Sequence, residues 1–380
     1  MEPFDFLVIG GGIAGAGIAY HLAQTARVAI AERESFPGYH TTGRSAALFA
    51  EAYGNATIRA LSRASRPFFE KPAANFAEHP LVAPRGALFI ARSDQLAALD
   101  AHRAITPGAA PTLAGDDARR LVPILREDYI AAAILDGDVM DIDVAGLHQG
   151  FLRGAKAHGA VLVSDAELRA LTRGTGSWRV ETSAGTFDAA VVVDAAGAWA
   201  EVVGAMAGAC AIGLEPLRRT AMVVDPPPHV TIDRWPLVID IDEQFYFKPE
   251  AGKLLVSPAD ETPSPPCDAQ PEEIDVALGI ERVQAAAELP VRRILRSWAG
   301  LRSFVADRSP VVGFDAAAPG FFWLAGQGGY GIQTAPALSL LAAALARGEE
   351  VPQELAASGI TAPMVSPSRP ELSATARPRG

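Results

Sequence analysis

The sequence predicts an α/β fold with two domains, one built on a parallel sheet and the other on an antiparallel sheet. The chain has 380 residues, of which 49% are hydrophobic, so it can bury a large core. Near the N-terminus, two short apolar runs flank a segment with helical spacing, which is typical of parallel strands joined by a helix. Between residues 218 and 257, short apolar runs alternate with Pro, Gly and Asp turns, which is typical of an antiparallel sheet.

Charge and cysteine content exclude several classes of protein. The 33 Lys and Arg against 44 Asp and Glu give a net charge of −11, so nucleic acid is not an expected partner. Cys210 and Cys267 are too few for a disulfide framework or a zinc site, and no metal is expected. The apolar run from Phe6 to Ala23 lacks basic flanking residues and contains five glycines. We therefore expect no signal peptide or transmembrane segment, and a cytoplasmic protein.

A GxGxxG motif follows the first apolar run and opens the predicted helix, and an acidic residue ends the next apolar run. In a Rossmann-like βαβ unit the glycines allow a tight turn, close approach of a pyrophosphate and close helix packing. The acid accepts hydrogen bonds from ribose hydroxyls. The sequence therefore predicts a dinucleotide site. Its expected residues are Gly10, Gly12, Ile13, Ala14, Gly15, Glu32 and Arg33.

The motif does not distinguish NAD from FAD, but two later segments favour FAD, because a flavin needs a site contributed by distant parts of the chain. HTTGRSAA offers small and hydroxyl residues with an arginine, and QGGYGIQTAP is a Gly-rich turn before a helix, with Thr334 as candidate cap and Pro336 in the first turn. Seen alone, each could be an ordinary loop. The first segment contributes Thr41, Thr42, Gly43, Arg44, Ser45, Ala46 and Ala47. The second contributes Gly328, Gly329, Tyr330, Gly331, Ile332, Gln333 and Thr334. Further expected cofactor contacts are Ala166, Glu167, Ala196, Gly197 and Trp199.

The order of the patterns predicts that the FAD-binding domain is discontinuous. Short β-like runs begin at about residue 80, a helix capped by Asp143 returns the chain to the first domain, and the Gly-rich turn near residue 328 returns it again. We assign residues 1–79, 140–212 and 300–350 to a Rossmann-like FAD-binding domain. Residues 80–139 and 213–299 are assigned to an α+β substrate domain that interrupts it. Residues 361–380, rich in Pro, Ser and Arg, are expected to form a surface tail.

Six segments occur together in one order: VIGGGIAGAGIAYHL, PGYHTTGRSAA, DAAGAWAE, FYFKPE, WAGLRSFVAD and QGGYGIQT. With them the chain resembles the glycine oxidase and D-amino-acid oxidase family. Within that family it is most similar to D-amino-acid dehydrogenases of the D-arginine dehydrogenase type, over nearly the whole chain. The resemblance implies noncovalently bound FAD, a substrate domain with an antiparallel sheet, and oxidation of an amine carbon beside a carboxylate.

The resemblance also implies the substrate site. Arg302 matches the family arginine that pairs with the substrate carboxylate, and Tyr246 matches the tyrosine that donates to the same group. A planar guanidinium can hold a carboxylate bidentately, which fixes the face of the α-carbon that meets the flavin. Arg219 is expected to be a second guanidinium at the pocket. Tyr53, Gln333 and Gly329 match positions near substrate and flavin, although Tyr53 could equally pack under a helix.

One departure bears on the substrate. Where arginine-oxidising relatives present an acid, this sequence has Ala87, and Leu48 and Phe49 are also apolar for a pocket wall. A buried guanidinium without a counter-charge is costly, so we expect D-amino acids with apolar rather than basic side chains. The expected reaction transfers a hydride from the α-carbon to flavin N5 and gives an imino acid that hydrolyses to a 2-oxo acid and ammonia. Either oxygen or a quinone could reoxidise the flavin.

Several alternatives stay open. Related folds could oxidise a secondary amine such as sarcosine, glycine itself, or a 2-hydroxy acid with the same carboxylate clamp. A flavin-binding partner or sensor protein would need no turnover, and an NAD-dependent dehydrogenase would be colourless. The histidines, including His148, are expected to be solvated or to cap helices rather than to act in catalysis. His40 is not expected to tether the flavin.

Overall fold

The computed structural model describes residues 3–106 and 111–373. Its strands, in chain order, are β1 (Phe4–Ile9), β2 (Val28–Ala31), β3 (Leu48–Phe49), β4 (Val82–Pro84), β5 (Ala87–Ala91), β6 (Thr112–Ala114), β7 (Ala132–Asp136), β8 (Met140–Ile142), β9 (Val161–Val163), β10 (Leu168–Arg173), β11 (Trp178–Thr182), β12 (Gly185–Asp194), β13 (Glu215–Val224), β14 (Leu237–Asp240), β15 (Tyr246–Glu250), β16 (Lys253–Ser257), β17 (Thr262–Pro263), β18 (Ile294–Phe304), β19 (Val311–Phe314) and β20 (Phe321–Ala325). Its helices are α1 (Ile13–Leu22), α2 (Ala56–Glu70), α3 (Leu96–Ile105), α4 (Gly115–Leu121), α5 (Val144–Ala157), α6 (Ala200–Ala207), α7 (Glu273–Ala286), α8 (Gly331–Ala346), α9 (Gln353–Ala357) and α10 (Pro370–Ser373). Among the described residues, no helix is long and apolar enough to cross a membrane.

The first sheet contains eight strands with a parallel centre. Strand β1 pairs in parallel with β2 and β12, β2 pairs with β9, and β12 pairs with β20. Gly10 has φ +100° between β1 and α1, and a Cβ on Gly15 would lie 1.9 Å from the Gly10 carbonyl oxygen. Gly10 is therefore required by its backbone conformation, and Gly15 is required because a side chain there would push α1 off the sheet. The predicted Rossmann-like βαβ unit is confirmed.

The second sheet contains nine strands and is almost entirely antiparallel, in the order β17-β13-β16-β15-β14-β5-β7-β6 with β18 beside β13. The antiparallel substrate-domain sheet predicted from the sequence is therefore confirmed. One pair departs from the prediction, because β5 and β14 are parallel. A long excursion of the chain separates these two strands, so a parallel arrangement needs no tight turn.

Two elements depart from the predicted domain boundaries. Strand β18 runs through residue 300 as one continuous partner of β13, because its hydrogen bonds to that strand continue as far as Phe304. A three-stranded sheet joins β3 and β8 to β4, although β4 falls in the range assigned to the other domain. Strand β18 and the three-stranded sheet therefore each contain residues from both of the predicted domains.

The prediction of a surface tail is wrong for residues 361–373. Val365 is fully buried and Leu372 is 5% exposed. The Arg369 guanidinium is also buried and donates to both carboxylate oxygens of Asp307, at 2.7 and 2.9 Å. A few apolar anchors and one buried ion pair hold a segment whose composition is otherwise that of a linker. The rest of the predicted tail, residues 374–380, lies outside the described residues.

Candidate active site

Three adjacent cavities run from the carboxyl ends of the parallel strands to the antiparallel sheet. We name each after one residue of its wall: the Glu32 cavity, the Arg44 cavity and the Ala87 cavity. The Glu32 and Arg44 cavities have several wall residues in common, among them Thr42. The Arg44 and Ala87 cavities have Arg302 in common. Ligands of open α/β sheets bind at the carboxyl ends of the strands, and an extended cofactor would fit such a run of cavities.

Glu32 is placed to hold a ribose in the Glu32 cavity. Its side chain is buried, and its carboxylate oxygens accept hydrogen bonds from the backbone N–H groups of Gly11 at 2.7 Å and Glu34 at 2.9 Å. Each oxygen retains a second lone pair, so the carboxylate can also accept from hydroxyls. Gly10 and Gly12 line the same cavity without a side chain in the way.

His148 supports the glycine turn from behind, a role that the sequence prediction missed. It is 4% exposed on α5, and its Nε2 donates to the Gly11 carbonyl oxygen at 2.7 Å. The expectation that it is solvated or a helix cap is therefore wrong. Burial lowers the pKa of His148, which keeps the ring neutral. Its place on the buried face of α5, beside Leu147 and Phe151, is the signal that could have located it.

The loop around Arg44 forms hydrogen bonds both to α1, beside the first sheet, and to β18 of the second sheet. The Thr42 hydroxyl accepts from the Ile13 N–H at 3.0 Å, and the Thr41 hydroxyl donates to the Leu301 carbonyl at 2.8 Å. Arg44 Nη1 donates to the Ala299 carbonyl at 2.9 Å, and its Nη2 pairs with Asp268. This loop therefore connects α1 with β18, and it lines the Arg44 cavity on the way.

The Gly-rich turn near residue 330 leads into a helix that starts earlier than predicted. Helix α8 begins at Gly331, and its first turn carries no capping side chain. Thr334 lies inside the helix, where its hydroxyl donates back to the Tyr330 carbonyl at 2.9 Å, and Pro336 is the sixth helical residue. The prediction of Thr334 as a cap is therefore wrong, because its hydroxyl has an acceptor within its own helix.

Most of the predicted site residues lie in the walls of the three cavities. Four do not: Gly15, Gly43, Tyr330 and Thr334. Gly43 donates to the Gly38 carbonyl at 2.7 Å, and Tyr330 is buried against Tyr53 with ring centroids 4.9 Å apart. These residues shape the backbone and packing behind the walls.

Arg302 lies where the Arg44 and Ala87 cavities meet. Its Nη1 is 3.5 Å from the Tyr53 hydroxyl, and a Cβ on Gly329 would come within 2.8 Å of the same nitrogen. Burial opposes the charge, but Tyr53 and Tyr246 outweigh it and raise the pKa of Arg302. Within the part of the chain that the structure describes, no carboxylate forms an ion pair with Arg302. Glu243, which lines the same cavity, forms no ion pair with Arg302 but also helps to raise its pKa. A guanidinium without a carboxylate in contact can bind an anion.

Arg219 and Tyr246 also line both of these cavities. Arg219 is 8% exposed on β13, and Tyr246 is 9% exposed at the start of β15. In the register of β13 with β18, Leu217 lies opposite Arg302 and Arg219 lies opposite Gly300. Because residues two apart on a strand share a face, the two arginines are diagonal neighbours on one face of the sheet.

Tyr53 and Gln333 line the same cavity wall and form different side-chain hydrogen bonds. The Tyr53 hydroxyl donates to Glu243 at 3.3 Å, and burial raises the pKa of Tyr53, so it stays protonated. The Gln333 side chain is engaged at both ends, since it accepts from the Ala50 N–H at 3.1 Å and donates to the Ser62 hydroxyl at 2.9 Å. Glu243 was missed by the sequence prediction, although its position three residues before Tyr246 could have drawn attention to it.

The far end of the Ala87 cavity is apolar. Its walls include Leu48, Ala87, Phe89, Leu237 and Ile239. Phe49, which the sequence prediction placed in a pocket wall, is fully buried in a separate core because consecutive strand residues point to opposite faces.

Comparison with known proteins places the chain in a family. The family model described as FAD dependent oxidoreductase (DAO) matches residues 5–345. The chain belongs to that family. A glycine oxidase from Bacillus licheniformis is 27% identical over 369 residues, which are 93% of this chain and 95% of that protein. Human mitochondrial dimethylglycine dehydrogenase is 25% identical over 267 residues, which are 67% of this chain but 30% of that protein.

A solved structure supports the same fold. The crystal structure of glycine oxidase from Geobacillus kaustophilus superposes with a TM-score of 0.79 at 24% identity, over 92% of this chain and 96% of that one. The predicted cofactor, FAD, is confirmed by membership of the FAD dependent oxidoreductase family. The three connected cavities, with a dinucleotide turn at one end, fit such an extended cofactor.

Proposed function

We propose that this FAD-dependent oxidoreductase oxidises D-amino acids with apolar side chains to imino acids, which hydrolyse to 2-oxo acids and ammonia. Arg302 carries this proposal, because it is a cation without a carboxylate partner among the described residues and lies between the cofactor cavities and the apolar end of the Ala87 cavity. The D configuration rests on the resemblance to D-amino-acid dehydrogenases. Arginine as substrate is disfavoured because Ala87 offers no counter-charge and Glu243, a carboxylate in the same wall, already accepts from the Tyr53 hydroxyl.

In this proposal the substrate carboxylate binds Arg302, with Tyr246 donating to the same group and Arg219 as the second guanidinium. A guanidinium clamp both binds and orients, so the α-hydrogen faces the cofactor. FAD, when bound, supplies the chemistry by accepting the hydride from the α-carbon. Gly12, Thr42, Arg44, Gly328 and Ile332 are among the residues that would hold it.

The amine must lose its proton before the hydride leaves. The nearby positive charge of Arg302 and Arg219 lowers the pKa of a bound ammonium group, which favours the neutral amine. Tyr53 stays protonated, so it serves as a hydrogen-bond donor and not as a base. No histidine lies in the wall of the Ala87 cavity among the described residues. In this proposal the ammonium proton passes to water before the hydride leaves, and the step uses no histidine of this chain.

A second candidate is oxidation of glycine or of an N-methylated amine, which the names of the relatives favour. The same arginine clamp would serve it. The apolar end of the Ala87 cavity favours a substrate with a side chain, because it would otherwise remain unfilled by glycine.

Anaerobic mixing with a panel of substrates tests the proposal. D-leucine, L-leucine, D-arginine, glycine, sarcosine and lactate are each mixed with the yellow holoenzyme, and flavin absorbance is followed. We expect D-leucine to bleach the flavin fastest. Faster bleaching by sarcosine or glycine would establish the second candidate, and no bleaching by any compound would leave a flavin-binding protein without this activity. Repeating turnover with oxygen and with an artificial quinone identifies the electron acceptor.

A further inference from the structure

A short loop after β16 is fastened next to Arg219. Ala259 has φ +53°, a conformation rare for alanine, and Asp260 follows it. Asp260 is 9% exposed, and its two oxygens accept from the Thr220 N–H at 2.6 Å and the Thr220 hydroxyl at 3.0 Å. These two hydrogen bonds attach the loop to Thr220, the residue after Arg219 on β13. Glu261, the residue after Asp260, is thereby held close to Arg219.

Glu261 bridges two arginines. Its Oε1 accepts from Arg219 Nη2 at 3.2 Å and from Arg308 Nη2 at 2.7 Å, while its Oε2 accepts from Arg308 Nη1 at 3.1 Å. Burial opposes ionisation of Glu261, but Arg308 and Arg219 outweigh it and lower its pKa. Arg308 is in turn held by the Phe304 ring, whose centroid lies 3.7 Å from its guanidinium carbon. Glu261 is therefore an ionised carboxylate that binds one arginine on each side.

Not every N–H group of the Arg219 guanidinium forms a hydrogen bond within the described residues. Its bond to Glu261 uses Nη2, and its buried Nε has no acceptor among the described residues. A buried N–H without an acceptor costs about 1–3 kcal/mol. The neighbouring Arg218 points to the opposite face, where Glu272 and Asp275 neutralise it. Of these two neighbouring arginines, the one that lines the cavities, Arg219, is left with a buried N–H that has no acceptor among the described residues.

We propose that Glu261 is a positioning residue that holds Arg219 at the junction of the Arg44 and Ala87 cavities, leaving its remaining donors available to a substrate carboxylate. This inference rests on the proposed function for the identity of the anion. Glu261 lies outside the cavity walls, so it acts through Arg219 and not on the substrate directly.

A double-mutant cycle in the holoenzyme tests the inference. Benzoate, a carboxylate with an apolar ring, is titrated into wild type, Glu261→Gln, Arg219→Ala and the double variant, and its Kd is measured from flavin absorbance and by calorimetry. Glu272→Gln is the matched control, because Glu272 pairs with the arginine on the opposite face of the same strand. FAD content and Tm confirm that each variant is folded.

We expect Glu261→Gln to weaken benzoate binding about fivefold in the wild-type background and less than twofold when Arg219 is already alanine. Tighter binding in both backgrounds would mean that Glu261 acts only through its charge, whereas weakening of similar size in both, or an unchanged Kd in the wild-type background, would mean that Glu261 does not act through Arg219. Either result overturns the proposal, as does an equal effect of Glu272→Gln. If D-leucine fails to reduce the wild-type flavin, the proposed function fails while the benzoate cycle still decides the role of Glu261.

Discussion

The Glu32 cavity and the Ala87 cavity lie at opposite ends of one site and are built in different ways. The Glu32 cavity is built around one βα turn, whose glycines line it beside a carboxylate from the next strand, and residues 166–206 complete its wall. The Ala87 cavity is made of side chains from β3, β5, β13, β14, β15, β18 and α8. The Glu32 cavity therefore has a local turn at its centre, while the wall of the Ala87 cavity comes almost entirely from segments far apart in the chain.

This difference predicts which substitutions affect one end of the site and not the other. Changes in the Ala87 cavity should alter catalysis and leave FAD bound, because none of the described residues lines both this cavity and the Glu32 cavity. Changes behind the glycine turn should alter stability and FAD retention before they alter substrate preference.

The largest effect is expected for Arg302→Ala. Loss of the charge that anchors the carboxylate should lower kcat/KM for D-leucine about a thousandfold, since a buried charge pair is worth about 2–5 kcal/mol and alignment is lost with it. Steady-state kinetics with an artificial electron acceptor measure this, and FAD content should stay at the wild-type level. Arg302→Lys should recover only part of the activity, because an ammonium cannot hold a carboxylate bidentately. Unchanged kinetics would remove Arg302 from the site.

A smaller effect is expected for Ala87→Glu. An acid in the apolar wall would supply the counter-charge that a cationic side chain needs, so kcat/KM for D-arginine relative to D-leucine should rise about tenfold. Ala190→Glu, at an exposed position of a strand in the first sheet, is the control and should change neither value. If the preference stays the same in both variants, Ala87 does not face the substrate side chain.

The smallest effect is expected at the other end of the site, from the pH dependence of His148. Burial lowers its pKa in the folded protein below the ordinary value of 6.5, so the unfolded chain binds the proton more tightly. The free energy of unfolding therefore decreases as pH falls below about 6.5, and it should decrease less steeply in the His148→Gln variant. Urea unfolding between about pH 7 and pH 5 measures it. His21, whose pKa burial lowers to about 4, titrates in the same direction in both proteins. Equal pH slopes would contradict a role for His148 at the turn.

The glycine turn could be predicted because its constraints are local. Gly10 and Gly15 are required by backbone geometry within one βα unit, and that requirement shows in the spacing of the letters. Thr334 shows where this approach fails. A cap residue and an internal hydroxyl bonded to its own helix look alike in sequence, and only the hydrogen bond to the Tyr330 carbonyl separates them.

Partners distant in sequence could not be predicted. Glu261 meets Arg219 and Arg308 only because a loop is fastened to β13, and His148 meets Gly11 across more than a hundred residues of chain. Val365 and Leu372 have too few apolar neighbours in sequence to indicate a buried segment, and the burial of Arg369 depends on Asp307.

The amino-acid sequence by itself determined the dinucleotide turn and the succession of parallel and antiparallel sheets, because these depend on short-range spacing. The candidate residues of the carboxylate clamp came from the resemblance to a family, residue by residue. Tertiary structure decided which charges are neutralised and which remain open to a ligand. Arg218 and Arg219 are adjacent in the chain, yet acids on one face of the strand neutralise the first and a bridging carboxylate leaves the second with a donor unused. Only folding places those acids, because a strand sends neighbouring side chains to opposite faces and each face meets different parts of the chain.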